Sequence, residues 1–141
     1  MYRLSKSFWF EAGHRLAKGY EGKCKNMHGH SWKLTVTVEG AKLNQYGMLI
    51  DFADLKKIVN PIVDRYDHSF LVYDKDKETI KKLEGHRKVT MKENPTSEYL
   101  AMQIAMGVSL KMPKGVRVYC VTIDETRNSS RSYYPFEHEK I

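Results

Sequence analysis

The stretch HGHSWKLTVTVE, from His28 to Glu39, decides how this chain is read. Trp32, Leu34, Val36 and Val38 fall on one parity, and Lys33, Thr35 and Thr37 on the other. That is the period-two signature of a half-buried strand. His28 and His30 share the parity of the apolar set, so both imidazoles stand at the end of the buried face and can address one point. A third histidine, His14, closes an earlier apolar and aromatic run, FWFEAGHRL, and Cys24 opens the run CKNMHGH just upstream of the strand. Three neutral imidazoles around a Zn²⁺ leave one coordination position open, the arrangement of a catalytic site. Cys24 as a fourth ligand would close the site and make it structural. A chain with this much core has little need of a structural metal.

The chain has 141 residues, enough for a real core, and nothing in it marks a dividing linker, so 1–141 reads as one domain. Hydrophobic residues make up 41% of it, well outside the disordered class. Lys and Arg number 24 against 17 Asp and Glu, a net charge of +7 that favours an anionic partner. The basic residues are scattered and form no continuous stripe, which argues against nucleic acid. A small phosphorylated substrate needs only a few of them, such as Arg15, Lys18 or Lys23 near the histidines. No apolar run approaches the roughly 20 residues that span a bilayer, so no membrane partner is expected. The opening MYRLSK lacks the apolar core of a signal peptide, and the expected location is the cytoplasm. Cys24 and Cys120 are expected to stay reduced there.

Around the deciding strand the rest of the chain falls into place. Residues 2–12 read as a first strand, with Leu4, Phe8 and Phe10 opposite Ser5, Ser7 and Trp9. Residues 17–27 carry Gly19, Gly22 and three lysines, which is loop chemistry. Asp51 is placed to cap a helix in which Phe52, Leu55, Val59, Ile62 and Tyr66 recur at helical spacing, with a kink or early stop expected at Pro61. Residues 73–95 look charged and irregular. A second helix starts at Asn94-Pro95, capped by Asn94 or by Thr96, and is apolar nearly all round. A third strand covers 116–124, with Val116, Val118 and Cys120 opposite Tyr119, Val121 and Ile123. A last strand is expected around Ser132–Phe136. The order ββααββ, with grouped helices, defines an α+β fold with an antiparallel sheet and helices on one face.

Three further features carry chemistry. Lys23 and Lys25 flank Cys24, and nearby cations favour a thiolate, which serves as nucleophile or base beside a Lewis-acidic metal. Taken alone, the cysteine could equally be a small buried hydrophobe. The pair Asp67-His68 follows the first helix, and a carboxylate beside an imidazole fixes its tautomer and raises its basicity. Asp124-Glu125-Thr126 ends the third strand. A carboxylate there can grip a guanidine-like edge by two parallel hydrogen bonds, and a pterin or guanine ring presents such an edge.

Together FEAGHRL, CKNMHGHSWKLTVTVEG, GMLIDFADLKK, DRYDHSFL, ENPTSEYLA and the closing DET resemble the 6-pyruvoyltetrahydropterin synthase family. The match is strongest with its 6-carboxytetrahydropterin synthase branch, which serves queuosine biosynthesis. The resemblance implies the tunnelling fold and a homo-oligomer, commonly a hexamer of two stacked trimers with sites between subunits. It implies zinc on His14, His28 and His30, Cys24 as the catalytic cysteine, and Asp67 and His68 as a proton relay. Glu125 would anchor the pterin and join the relay, with Thr126 and Thr96 also at the substrate. The implied reaction converts 7,8-dihydroneopterin triphosphate to 6-carboxytetrahydropterin, acetaldehyde and triphosphate; the alternative, 6-pyruvoyltetrahydropterin synthase, stops before the carbon–carbon cleavage. Three residues separate Cys24 from His28, the spacing of the carboxy branch, whereas pyruvoyl-forming members from animals tend to carry an insertion there. A folate-linked branch replaces the cysteine by glutamate, and Cys24 argues against it although Glu21 is near. Ser69 stands where the carboxy branch often has a basic residue, and the segment Tyr73–Lys92 is longer than usual.

Overall fold

A computed structural model describes residues 1–136. Its frame is the ladder between β1 (Tyr2–His14) and β2 (His28–Gly40), antiparallel over the full length of both strands. Alternation decides what each face does. Phe8, Phe10 and Ala12 from β1, and Trp32, Leu34, Val36 and Val38 from β2, are all buried, whereas Trp9 stays 61% exposed on the opposite face. Phe10 lies directly across from Trp32 and the two rings stack, with centroids 5.8 Å apart and planes 3° from parallel. The buried indole N–H donates to the Ala12 carbonyl at 3.0 Å, which satisfies its one polar atom.

Two antiparallel strands extend the ladder beyond β2. They are named in chain order: β5 is Arg117–Thr126 and β6 is Ser129–Tyr133. Strict alternation would send Val118 and Val121 to opposite faces, yet both are fully buried. A bulge reconciles them: Thr37 pairs with Cys120 and Val38 with Val118, leaving Tyr119 as the extra residue.

The sheet is mixed rather than wholly antiparallel. The segment that looks irregular in sequence contributes β3 (Ser69–Tyr73) and β4 (Lys88–Met91), which add parallel to the outer side of β1. The strand order is β4-β3-β1-β2-β5-β6. At four and five residues these strands are too short to announce themselves by periodicity, and their pairing depends on contacts distant in sequence. A short helix, α2 (Lys77–Lys82), connects them.

The two long helices cover one face of the sheet. α1 (Phe52–Tyr66) is capped by Asp51, whose carboxylate accepts from the Ala53 N–H at 2.7 Å. It continues through Pro61 instead of stopping there. Pro61 is exposed, so the carbonyl that loses its N–H partner can be solvated. α3 (Ser97–Ser109) begins at Thr96, not Asn94: the Thr96 hydroxyl accepts from the Tyr99 N–H at 3.1 Å. Leu55, Val59 and Val63 of α1 and Leu100, Ile104 and Val108 of α3 close the core over the sheet. Met106 is 54% exposed, so α3 is apolar around its circumference without being buried all round. No described helix is long and apolar enough to cross a membrane.

Candidate metal centre and adjoining clefts

The β1–β2 register assembles the histidines. His14 is the Cα partner of His28, and Ala12 that of His30, so three imidazoles on one face meet at one end of the ladder. Their nearest ring nitrogens all lie within 4.8 Å of one another. His14 Nδ1 sits 2.7 Å from the Pro95 carbonyl and His28 Nδ1 2.7 Å from the Asn26 carbonyl. A carbonyl only accepts, so each Nδ1 carries the proton and each Nε2 presents a lone pair. His14 is 2% exposed, and its Nε2 has no hydrogen-bond partner.

That buried lone pair decides what the site fits. Burial pushes the His14 pKa down to about 4; the Pro95 carbonyl opposes the shift, and neighbouring His28 and His30 reinforce it. Burial also lowers His30, against the opposing pull of the Glu125 carboxylate. Imidazoles kept neutral, with a buried acceptor left unpaired among them, fit a divalent cation.

Cys24 is half-buried in a single 3₁₀ turn, Lys23–Lys25, and its carbonyl accepts from the Leu16 N–H at 2.7 Å. Neither Cys24 nor Glu125 belongs to the cluster of converging donors found among the described residues. The trio is therefore a three-donor set. Cys24 and Cys120 are not joined to each other by a disulfide.

Asp67 and His68 are fixed by the backbone of Glu11. The Glu11 N–H donates to Asp67 Oδ1 at 2.8 Å, and the His68 N–H donates to the Glu11 carbonyl at 2.6 Å. Asp67 Oδ2 then meets His68 Nδ1 at 2.9 Å. The Glu11 amide, and after it His68, hold the Asp67 carboxyl below its usual range against the opposing effect of burial. His68 occupies the left-handed region at φ 55°, a conformation that costs a non-glycine residue about 1 kcal/mol and recurs at functional sites. Its side chain opens into a cleft of about 610 Å³ that also contains His28, His30, Glu11, Ser31 and Phe70. A Cβ at Gly13 would stand 2.8 Å from the Phe70 ring, so a side chain there would displace that ring.

A second cleft, of about 790 Å³, lies on the other side of His30 and holds Trp9, Lys33, Asp124, Glu125, Thr126 and Arg127. The two clefts share Gly29, His30 and Ser31. Glu125 Oε1 comes within 3.9 Å of His14 Nε2. His28, His30 and His68 line the first cleft and His30, Glu125 and Thr126 the second, with Asp67 held against His68, whereas Cys24 and Thr96 line neither, and the Thr96 hydroxyl caps α3. Sequence reasoning missed Glu11, Ser31 and the Pro95 carbonyl. Ser31 Oγ donates to Glu11 Oε2 at 2.7 Å, a pair that only the strand register reveals. A positioning carbonyl leaves no mark in a sequence.

Fold and site together define a tunnelling-fold protein whose histidine trio can hold a metal ion at one end of its sheet. The chain belongs to the 6-pyruvoyl tetrahydropterin synthase family, whose pattern it matches over residues 3–135, and this makes it an enzyme. It is 32% identical over 127 residues to the 6-carboxy-5,6,7,8-tetrahydropterin synthase of Rickettsia bellii, covering 87% of this chain and 91% of that one. It is 29% identical to the Aquifex aeolicus protein of the same name, covering 94% and 97%. Among solved structures it is similar to the Caenorhabditis elegans 6-pyruvoyl tetrahydropterin synthase, with a TM-score of 0.72 and 29% identity over 94% of both chains. It is also similar to an uncharacterised Wolinella succinogenes protein, with a TM-score of 0.80 and 27% identity over 95% and 98%.

Proposed function

We propose that this chain is a zinc-dependent lyase. It converts 7,8-dihydroneopterin triphosphate and water to 6-carboxy-5,6,7,8-tetrahydropterin, acetaldehyde and triphosphate. One observation carries the proposal: a buried, unpartnered His14 Nε2 converges with His28 and His30 beside the Asp67-His68 pair, in a chain whose curated relatives are named for the carboxy product.

In this reading His14, His28 and His30 hold the ion, which supplies Lewis-acid polarisation of the substrate's side-chain oxygens. Glu125 accepts two N–H groups from the pterin edge, with Thr126 beside it. Cys24, as a thiolate, takes a proton from the substrate side chain. Asp67 holds the His68 imidazole oriented by accepting a hydrogen bond from its Nδ1–H, so that Nε2 is free to accept and return protons. Triphosphate leaves as the side chain is oxidised and the ring reduced, so no external redox cofactor is consumed. Water then divides the two-carbonyl side chain into a carboxylate on the ring and acetaldehyde. The exposed His68 side chain on the first cleft favours a homo-oligomer, a hexamer in this proposal, in which a neighbouring subunit closes each site. The product feeds queuosine formation in the cytoplasm.

The test is incubation with dihydroneopterin triphosphate, with and without a chelator, and mass spectrometry of every product. Metal-dependent release of acetaldehyde with the carboxypterin supports the proposal. A pyruvoyl product without acetaldehyde overturns it in favour of a 6-pyruvoyltetrahydropterin synthase.

A further inference from the structure

The connection that carries Cys24, residues 15–27, has little of its own to hold it in place. Ala17 is its one buried residue, and its only regular structure is the turn at Cys24. It reverses through two consecutive left-handed residues, Lys18 at φ 58° and Gly19 at φ 76°. Apart from the Asn26 carbonyl, which accepts from His28 Nδ1, the polar side-chain ties found among the described residues reach residues 73–95, the segment that looks irregular in sequence. Arg15 Nε lies 3.1 Å from Asp76 Oδ2. Lys18 pairs with Glu93 on the surface. Between them Asn94 grips both ends of one residue: its Oδ1 accepts from the Ala17 N–H at 2.8 Å, and its Nδ2 donates to the Ala17 carbonyl at 3.3 Å.

These contacts differ in weight. The Lys18–Glu93 pair is solvent-exposed, and such pairs hold little. The Asn94 grip is part-buried, bidentate and directed at backbone, so it fixes position as well as distance. From Ala17 the constraint passes across one peptide bond to Leu16, whose N–H donates to the Cys24 carbonyl. The residue after Asn94 supplies the carbonyl that orients His14. One four-residue stretch, Glu93–Thr96, therefore touches the cysteine's loop, a metal-candidate histidine and the start of α3.

We propose that Asn94 is a positioning residue: its two-point grip on Ala17 sets where the Cys24 thiol stands relative to the histidine trio. The proposal rests on the reading of Cys24 as the reactive thiol. Its consequences for the loop can be measured without substrate.

The test uses the full-length, metal-loaded protein and compares wild type with Asn94→Ala and Asn94→Asp. Three readouts are taken: amide exchange of the peptide spanning 15–27, alkylation of Cys24 by iodoacetamide, and steady-state turnover. Asn94→Ala is expected to speed exchange of that peptide at least tenfold while β5 and β6 exchange as before. Alkylation of Cys24 should quicken at least threefold. Turnover should fall about tenfold in kcat with KM changed less than twofold and metal content unchanged. Asn94→Asp keeps an acceptor for the Ala17 N–H and loses the donor, so it should fall between the two, and it carries the test should the alanine variant not fold. Unchanged exchange and alkylation in either variant overturn the proposal. Faster exchange and alkylation with no pterin turnover in wild type leave the grip standing and remove the functional reading instead.

Discussion

The two ends of the β1–β2 ladder treat buried polar groups in opposite ways. At one end Glu39 is 4% exposed and saturated: it accepts from Arg3 Nε at 3.0 Å and from Arg117 Nε and Nη2 at 2.9 and 2.7 Å. Arg3 in turn lies 3.4 Å over the Tyr119 ring. At the other end His14 is equally buried, and its Nε2 has no hydrogen-bond partner. Both ends sit on the same pair of strands, so the difference lies in the residues brought together there. A buried polar group with every partner supplied from within the chain contributes to stability. One left unpaired among converging donors is arranged for something the chain itself does not supply.

Removing groups from the histidine end should have the larger effect. Cys24→Ala is expected to lower turnover by about 10³-fold or more, with one metal ion still bound per chain, because the thiol is not part of the donor cluster. His28→Ala should abolish turnover and also strip the ion. Metal analysis of the two variants by mass spectrometry separates the roles, and equal metal loss in both would merge them.

Acid should weaken the histidine end before the carboxylate end. In the metal-free protein His14 takes up a proton near pH 4, against about 6.5 when unfolded. Between those values the unfolded chain binds more protons than the folded one. Stability is therefore intact above pH 6.5 and falls as pH drops toward 4, by up to about 3 kcal/mol from this residue. Urea midpoints with chelator at pH 7 and pH 4.5 measure the loss, and His14→Ala should show less of it. Arg117, then Arg3, hold the Glu39 carboxyl below its usual range, so its contribution is lost only at still lower pH.

The smallest effect belongs to Glu39→Gln. It keeps the shape, removes the charge that two guanidiniums share, and should cost roughly 1–2 kcal/mol, because both arginines are half-exposed. Metal content and kcat should stay within twofold of wild type. A large loss of bound metal would show that the two ends are coupled.

How much of this could be read in the sequence follows from the range of the interactions. The trio was legible because alternation along β2 places His28 and His30 on the core face, and FWFEAGH does the same for His14. The Asp51 cap was legible because capping is local. The Thr96 cap stayed ambiguous with Asn94, since both residue types cap well and only the tertiary hold on Ala17 occupies Asn94 elsewhere. β3 and β4 were hidden because a short parallel strand is defined by its neighbours. The bulge at Tyr119 was hidden for the same reason. Glu11 escaped because its backbone, more than its side chain, holds Asp67 and His68.

The most direct test is X-ray absorption at the zinc edge of the purified, zinc-loaded enzyme. Three imidazole nitrogens plus one further light atom, at about 2.0–2.1 Å and with no sulfur in the shell, is the expected result. A sulfur scatterer at about 2.3 Å would make Cys24 a ligand, close the site and contradict the account.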